Sequence, residues 1–517
     1  MKSATGISPT VRSHALTFDD VRRLVGLVGG PICAIMVYML PIDGLSSEAH
    51  TLLSIMSLVC LWWITEPVPI PVTSLLGPLL CVVTGVASMG QAFAAFANPI
   101  IFLFLGGFVL AKAMTMHSLD RRFAYRVLSL KIVGGRPTRI FIAIGIVTML
   151  CSGWMSNTAT AAMMLPIALG LLEAIQDMMK ANGKEIDLKN YKFATGLMLM
   201  TAYSASIGGV LTPIGTPPNL IMIGFLDSMV DIHISFFQWM IWGGIAMVVY
   251  FIIALIVLRI QFKPDVDYIV GAEEIIAKKR AELGPWTMAQ RLTLGVFILA
   301  VVLWVIPGGL SIAMGPQSDM LAIYNAVMPE SAVALLVAIL LFFMPIKGNG
   351  PGKKPECAMN WKDAAEGIDW GTLLLFGGGL SMGGLMFSTG LSEWVGAAIV
   401  SLLGGNPSEL AFTAVFCILA LGLSELASHT AATNMIGPLA VTAAVSAGFD
   451  PVVVSVGIAL SASLGFMLPV STPPNAIVYG SGFVPITKMI KSGFIIDVIG
   501  LFCVTIPLVM FVVSAIV

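Results

Sequence analysis

The sequence predicts an all-α polytopic membrane protein, and three observations carry that prediction. Apolar residues make up 57% of the 517 and charged residues 11%, with a mean hydropathy of +0.95, whereas a soluble domain has about a quarter of its residues charged. Long apolar runs recur along the whole chain, and ~20 apolar residues in a helix cross ~30 Å of hydrocarbon. All 27 lysines and arginines fall on one side of the resulting map, a complete form of the positive-inside bias.

Residues 1–23 are polar, lack a small-residue cleavage pattern, and read as a cytoplasmic leader. Spans are expected at 24–41, 49–65, 69–87, 97–115, 193–227, 237–259, 288–306, 331–346, 370–389, 449–482 and 490–515, eleven in all. Two further apolar segments, 138–176 and 408–446, are too long for one span. Each is either two ordinary spans or a re-entrant hairpin, and both choices leave the downstream sidedness unchanged. The charged stretch 263–287 is expected to be a cytoplasmic helical linker.

With the amino terminus inside, the leader holds Lys2, Arg12, Arg22 and Arg23, and the loop near 116–137 holds the next dense group, from Lys112 to Arg139. Lys184, Lys353 and Lys354 fall in later inside loops, while the outside loops (42–48, 88–96, 228–236, 307–330, 390–407 and 447–448) contain no basic residue. Eleven spans put the carboxyl terminus outside, in a multi-pass inner or plasma membrane protein whose surroundings are the lipid bilayer. The formal net charge of −1 gives no reason to expect nucleic acid. Six of the seven cysteines lie in apolar segments without CxxC spacing, so they read as buried hydrophobes, with neither a metal site nor a disulfide framework.

The chain also repeats. "FLFLGGFVLA" (102–111) resembles "LLLFGGGLSMG" (373–383), "SNTATAAMMLPIA" (156–168) resembles "SHTAATNMIGPLA" (428–440), and "LTPIGTPPNLI" (211–221) resembles "LPVSTPPNAI" (468–477). Gly106 to Gly378 and Ser156 to Ser428 share an offset of 272, and Thr216 to Thr472 has 256. Five spans separate equivalent elements, so the second copy is expected to be inverted: 24–48 precedes a first repeat at 49–262, and 288–517 forms the second. Broken helices at matching places of an inverted repeat are the pattern of a secondary transporter.

Ser, Asn and Thr favour helix starts, where they cap free N–H groups. A turn at "SNT" would end one short helix and begin another at membrane depth, which is tolerated only inside protein or beside a cavity. Such a tip offers a positive dipole end and N–H groups to an anion, and its carbonyls and side-chain oxygens equally suit Na+. Close helix packing through small residues is the plainer alternative. The "TPPN" stretches, with Gly208, Gly209, Pro213, Gly215, Pro217 and Pro218 in one half and Gly465, Pro469, Pro473 and Pro474 in the other, cannot continue a helix. Each is expected to be an unwound break, with Thr216, Thr472, Asn219 and Asn475 available to cap the following half-helix.

"WWITEPVPIPVTSLL" (62–76), the two Ser-x-Thr stretches and the two "TPPN" breaks, in this order, resemble the divalent anion/sodium symporter family of dicarboxylate, citrate and sulfate transporters. The resemblance implies re-entrant hairpins at 138–176 and 408–446, broken spans at 193–227 and 449–482, and an elevator-type arrangement of scaffold and transport domains, usually in a homodimer. It implies one Na+ site at Ser152, Ser156, Asn157 and Gly209, and a second at Ser424, Ala427, His429 and Gly465. It implies a small dianion held by Asn157, Thr158, Thr216, Pro217, His429, Thr430, Thr472 and Pro473. No organic cofactor and no enzymatic activity are implied. The expected function is Na+-coupled symport of C4-dicarboxylates such as succinate, malate or fumarate.

His429 departs from the family pattern, which has Asn there. Neutral imidazole accepts through one nitrogen and imidazolium through none. His429 therefore either weakens Na+ binding and, when charged, stands in for a cation, or replaces only the amide's donor role, or is structural. The first option makes a Na+-independent dicarboxylate exchanger the alternative function. Ser156 as a nucleophile would need a general base, and of five histidines only His429 lies deep in the membrane, with no orienting partner evident, so a membrane hydrolase is disfavoured; broken inverted repeats disfavour a channel.

Overall fold

The computed structural model describes residues 18–181, 187–315, 317–347 and 356–516. Lys2 and Arg12 of the leader, Lys184, Lys353 and Lys354 lie outside the described residues. The first half comprises α1 (Phe18–Met39), α2 (Ser47–Thr65), α3 (Ile70–Val83), α4 (Met89–Ala94), α5 (Pro99–Met116), α6 (Leu119–Leu128), α7 (Pro137–Ser152), α8 (Asn157–Ala181), α9 (Lys192–Gly209), α10 (Pro217–Val230) and α11 (Phe236–Gln261). In the linker, α12 (Ala272–Glu282) is the helical part. There follow α13 (Met288–Met314), α14 (Asp319–Val327), α15 (Glu330–Phe343), α16 (Trp361–Gly367), α17 (Trp370–Thr389), α18 (Leu391–Leu402), α19 (Glu409–Leu426), α20 (His429–Ala447), α21 (Pro451–Ala462), α22 (Pro473–Gly480) and α23 (Ile486–Val513). Among the described residues the departure from all-α is one antiparallel ribbon, β1 (Pro345–Lys347) with β2 (Glu356–Cys357).

Of the eleven expected spans, α1, α2, α5, α11, α13, α17 and α23 are single helices long and apolar enough to cross a membrane. Two are short, α3 and α15 having 14 residues each, and α15 joins α14 at a 47° bend. The other two are broken, as α9 and α10 and as α21 and α22. Pro217 and Pro473 open the second half-helices, positions where the missing N–H costs nothing and the ring forbids continuation from before. The two over-long segments are helical hairpins, α7 with α8 and α19 with α20, each turning at its Ser-x-Thr stretch.

The first half-helices of the broken spans sit at the centre. Every residue of α9 from Phe193 to Gly209 is buried, and so is α21 from Val452 to Ala462; helices apolar on every side belong inside. Around them the two halves pack on one another in matching ways. α5 lies on α15 and α3 lies on α17. A Cβ on Gly106 would sit 2.5 Å from the Ala334 carbonyl, and one on Gly378 would sit 2.4 Å from the Ser74 carbonyl. These glycines let backbones approach where no hydrophobic force separates helix from lipid.

Tryptophans often mark a membrane interface, yet on α2 Trp63 is buried with its Nε1 donating to Ser74 Oγ at 3.1 Å, and Trp62 donates to Gly26 O at 2.9 Å. Both indoles tie α2 to neighbouring helices, Trp62 to α1 and Trp63 to α3.

Candidate functional site

The two breaks are built alike. In the first, Asn219 on α10 donates through Nδ2 to Gly209 O (3.0 Å) and Thr212 O (2.8 Å). In the second, Asn475 on α22 donates to Gly465 O (3.1 Å) and Leu468 O (3.0 Å). Each asparagine thus draws in carbonyls freed where the preceding half-helix ends. Neither acts as the expected cap: Thr216 and Thr472 occupy the N-cap positions, yet no side chain caps α10 or α22. The prolines at the first helical position remove one N–H that a cap would serve.

Glycines on the following span make room for each break. A Cβ on Gly243 of α11 would lie 2.1 Å from Val210 O, and one on Gly493 of α23 would lie 2.4 Å from Phe466 O. Trp239 Nε1 donates to Val210 O at 3.1 Å, and Tyr203 Oη donates to Phe466 O at 3.0 Å. The second break has an addition that the first lacks. The Glu425 carboxylate accepts from Met467 N (2.8 Å) and Leu468 N (3.1 Å), while Asp497 accepts from Phe466 N at 3.2 Å. Glu425 is therefore a buried acid hydrogen-bonded to the backbone of the second break.

The tips also correspond. Ser156 Oγ accepts from Ala159 N and Ser428 Oγ from Ala431 N, each at 3.2 Å, the N-caps that the sequence predicts for α8 and α20. Behind the first tip, Ser152 Oγ donates to Asn157 Oδ1 at 2.7 Å, and a Cβ on Gly209 would meet that same oxygen at 2.5 Å. Behind the second, a Cβ on Gly465 would lie 2.8 Å from His429 Nε2 and 3.0 Å from Ser424 Oγ. Gly465 has φ +65, which favours glycine in its own right. Here the halves diverge. Ser424 Oγ turns to Ala462 O (2.6 Å), and His429 Nε2 is buried with no hydrogen-bond partner. Ala427, also buried, lies in the turn between them.

Both tips and both breaks face one cleft of about 140 Å3. Ser156, Asn157, Thr158, Thr216 and Pro217 line it from the first half, and Ser428, His429, Thr430, Thr472 and Pro473 from the second. Ser152, Gly209, Ser424, Ala427 and Gly465 are outside the lining, behind Asn157 and His429. The wall also includes Phe104, Gly107, Phe108 and Ala111 of α5, from the repeated glycine-rich stretch, and two residues that no motif marks, Asp369 and Thr372 at the start of α17. Among the described residues no lysine or arginine lines the cleft. Asp369, its one carboxylate, is engaged as the cap of α17, accepting from Thr372 N (3.0 Å) and Thr372 Oγ1 (2.7 Å). Among the described residues no group of three His, Cys, Asp or Glu converges as a metal site. Hydroxyls, amides, helix starts and backbone carbonyls around a cleft without fixed positive charge can bind an anion and a desolvated monovalent cation side by side.

The family profile described as the sodium:sulfate symporter transmembrane region matches residues 23–514. The chain belongs to the sodium:sulfate symporter family. Two relatives named sodium-dependent dicarboxylate transporter SdcS, from Staphylococcus saprophyticus and Staphylococcus aureus, are each 34% identical to it. Those matches cover 93% and 92% of this chain and 90% and 89% of the relatives. The solved structure of the YdaH transporter of Alcanivorax borkumensis shares the fold at a TM-score of 0.56 and 10% identity, over 96% of this chain and 99% of that one. This symporter-family member is accordingly a multi-pass membrane transporter and not an enzyme, and the resemblance drawn from its motifs holds.

Proposed function

We propose that the chain is a Na+-coupled symporter of small dicarboxylate dianions, of the C4 class of succinate, malate and fumarate. The observation that carries the proposal is the cleft where both tips and both breaks meet without a lysine or arginine. A dianion there needs compensating charge, since an unpaired charge at membrane depth costs several kcal/mol. The fold offers carbonyls and hydroxyls for a cation directly behind Asn157, at Ser152 and Gly209. Substrate and Na+ then each lower the cost of binding the other. The names of the SdcS relatives, sodium-dependent dicarboxylate transporters, support the same coupling.

In this reading Asn157, Thr158, Thr216, Pro217, His429, Thr430, Thr472 and Pro473 hold the substrate. Ser152, Ser156, Asn157 and Gly209 hold one Na+, and Ser424, Ala427, His429 and Gly465 surround the second position. The hairpins and broken spans move together as a transport domain against a scaffold containing α5, α15 and α17, in an elevator cycle, within a homodimer. The amino terminus is cytoplasmic and the carboxyl terminus outside. Ala111 and Asp369, near the ends of α5 and α17 that adjoin basic loops, line the cleft, which supports reading this conformation as inward-facing.

One observation favours a second reading. His429 Nε2 has no partner behind the second tip, and a charged imidazole there would replace a cation, giving Na+-independent exchange. Thermal unfolding of the purified protein tests the first reading. Succinate at 100 times its Kd stabilises by about 2.7 kcal/mol; the proposal requires that gain with Na+ present and not with choline. An equal gain in choline favours the exchanger.

A further inference from the structure

The outer side of this chain carries no lysine or arginine, so any ionic contact between its outer elements must use a base that titrates. His233, in the loop between α10 and α11, is that base. Its Nδ1 lies 3.5 Å from Asp227 Oδ1 on α10, and its Nε2 lies 3.5 Å from Glu330 Oε2 at the start of α15. One imidazole therefore bridges two carboxylates on two different packing units. α10 is the second half of the broken span that lines the cleft, whereas α15 lies against α5. Glu330 is fixed in place, accepting from Phe236 N at 3.3 Å, while its own carbonyl accepts from Trp304 Nε1 at 3.1 Å. Phe236 stacks on Trp304 at 4.6 Å.

A cavity of about 220 Å3 lies beneath this bridge, and Asp227, His233 and Glu330 are the titratable groups that line it. α5 contributes Pro99, Ile100 and Leu103, the first break contributes Pro213, and α11 contributes Phe236. Asp231, two residues before His233 in the same loop, is the other charged group of the connection. No permanent cation competes for either carboxylate within the cavity lining.

The geometry points to a pH-sensitive latch: protonated His233 clasps Asp227 to Glu330 and holds the outer side closed while the cleft faces the cytoplasm. This rests on the alternating-access reading above. The Asp227 and then the Glu330 carboxylate, accepting from the imidazolium N–H groups, raise the His233 pKa above its ordinary value, although the half-exposed ring is screened by water. Because the pKa is raised in the clasped state, the clasp is fully formed below the ordinary histidine pKa of about 6.5 and is lost as pH rises through the raised value. Alkaline conditions outside favour opening, and acid outside favours the inward-facing state.

The test is labelling of Ser331→Cys, whose side chain lines the cavity under the clasp, by a membrane-impermeant maleimide added outside proteoliposomes of the full chain. Asn406→Cys, exposed in the expected outside loop 390–407, in parallel, corrects for the effect of pH on thiol reactivity and reports orientation. The corrected labelling rate should rise about tenfold between pH 6 and pH 9, the equivalent of one pKa unit. His233→Gln should label fast at both pH values, and His233→Lys, whose charge stays in place, should label slowly at both. Glu330→Gln, as an independent break of the clasp, should resemble His233→Gln. A pH rise that survives in His233→Gln overturns the latch, and so does a flat wild-type profile. If Ser331→Cys labelling still responds to Na+ plus succinate while pH has no effect, only the latch fails. If it responds to neither, alternating access at this surface fails with it.

Discussion

Asn157 and His429 occupy equivalent corners of the two halves, each pressed against a glycine at its break, Gly209 as the last residue of α9 and Gly465 just beyond the end of α21. The position of a Cβ on Gly209 is 2.5 Å from Asn157 Oδ1, and that of a Cβ on Gly465 is 2.8 Å from His429 Nε2. The same place is therefore filled by an amide oxygen held by Ser152 in one half and by an unpartnered ring nitrogen in the other. His429→Asn should supply the second corner with an amide oxygen. Uptake measured against Na+ concentration should become steeper, with tighter apparent Na+ affinity. An unchanged curve would remove position 429 from the cation site.

Asn157→Ala and Thr158→Ala should each abolish Na+-driven uptake while the thermal midpoint is kept. Both side chains line the cleft, and Asn157 also accepts from Ser152. Retained transport in either variant would sink the assignment of that residue.

Asn219→Ala and Asn475→Ala each strip a donor from two carbonyls. Leaving buried acceptors unmade costs about 1–3 kcal/mol, so both variants should unfold at lower temperature. The loss should be similar in the two halves, since the bonds are equivalent. Asn219→Ala should also weaken Na+ binding, because Gly209 O then has no fixed position. A large difference between the two thermal shifts would contradict the equivalence of the breaks.

Gly243→Ala and Gly493→Ala would place a methyl within 2.1 Å of Val210 O and 2.4 Å of Phe466 O. Overpacking of this kind costs about 1–3 kcal/mol, and relief requires the break to move. Each variant should lose thermal stability and transport together. Gly170→Ala, with open space around its Cβ, is the control and should change neither.

Much of this organisation is legible in the sequence because proline and glycine punctuate helices by local sterics. "TPPN" forces two breaks, and "SNT" and "SHT" place two N-caps, without any knowledge of packing. What the sequence hides is set by long-range contacts. Nothing local marks Asp369 and Thr372 as cleft residues, because α17 reaches the tips only after the halves have packed together. The capping expected of Asn219 and Asn475 failed for a related reason, since carbonyls left by the preceding half-helix lie within reach of these amides and take their donors. Trp62 and Trp63 look like boundary residues by type, and only the positions of α1 and α3 reveal their acceptors.

The central claim is that Na+ supplies the charge that a dianion needs in a cleft without lysine or arginine. Uptake of labelled succinate into proteoliposomes, with and without external Na+ and with and without internal dicarboxylate, tests it most directly. The account predicts accumulation into dicarboxylate-free vesicles that requires an inward Na+ gradient. Uptake that ignores Na+ and depends on internal dicarboxylate would contradict it.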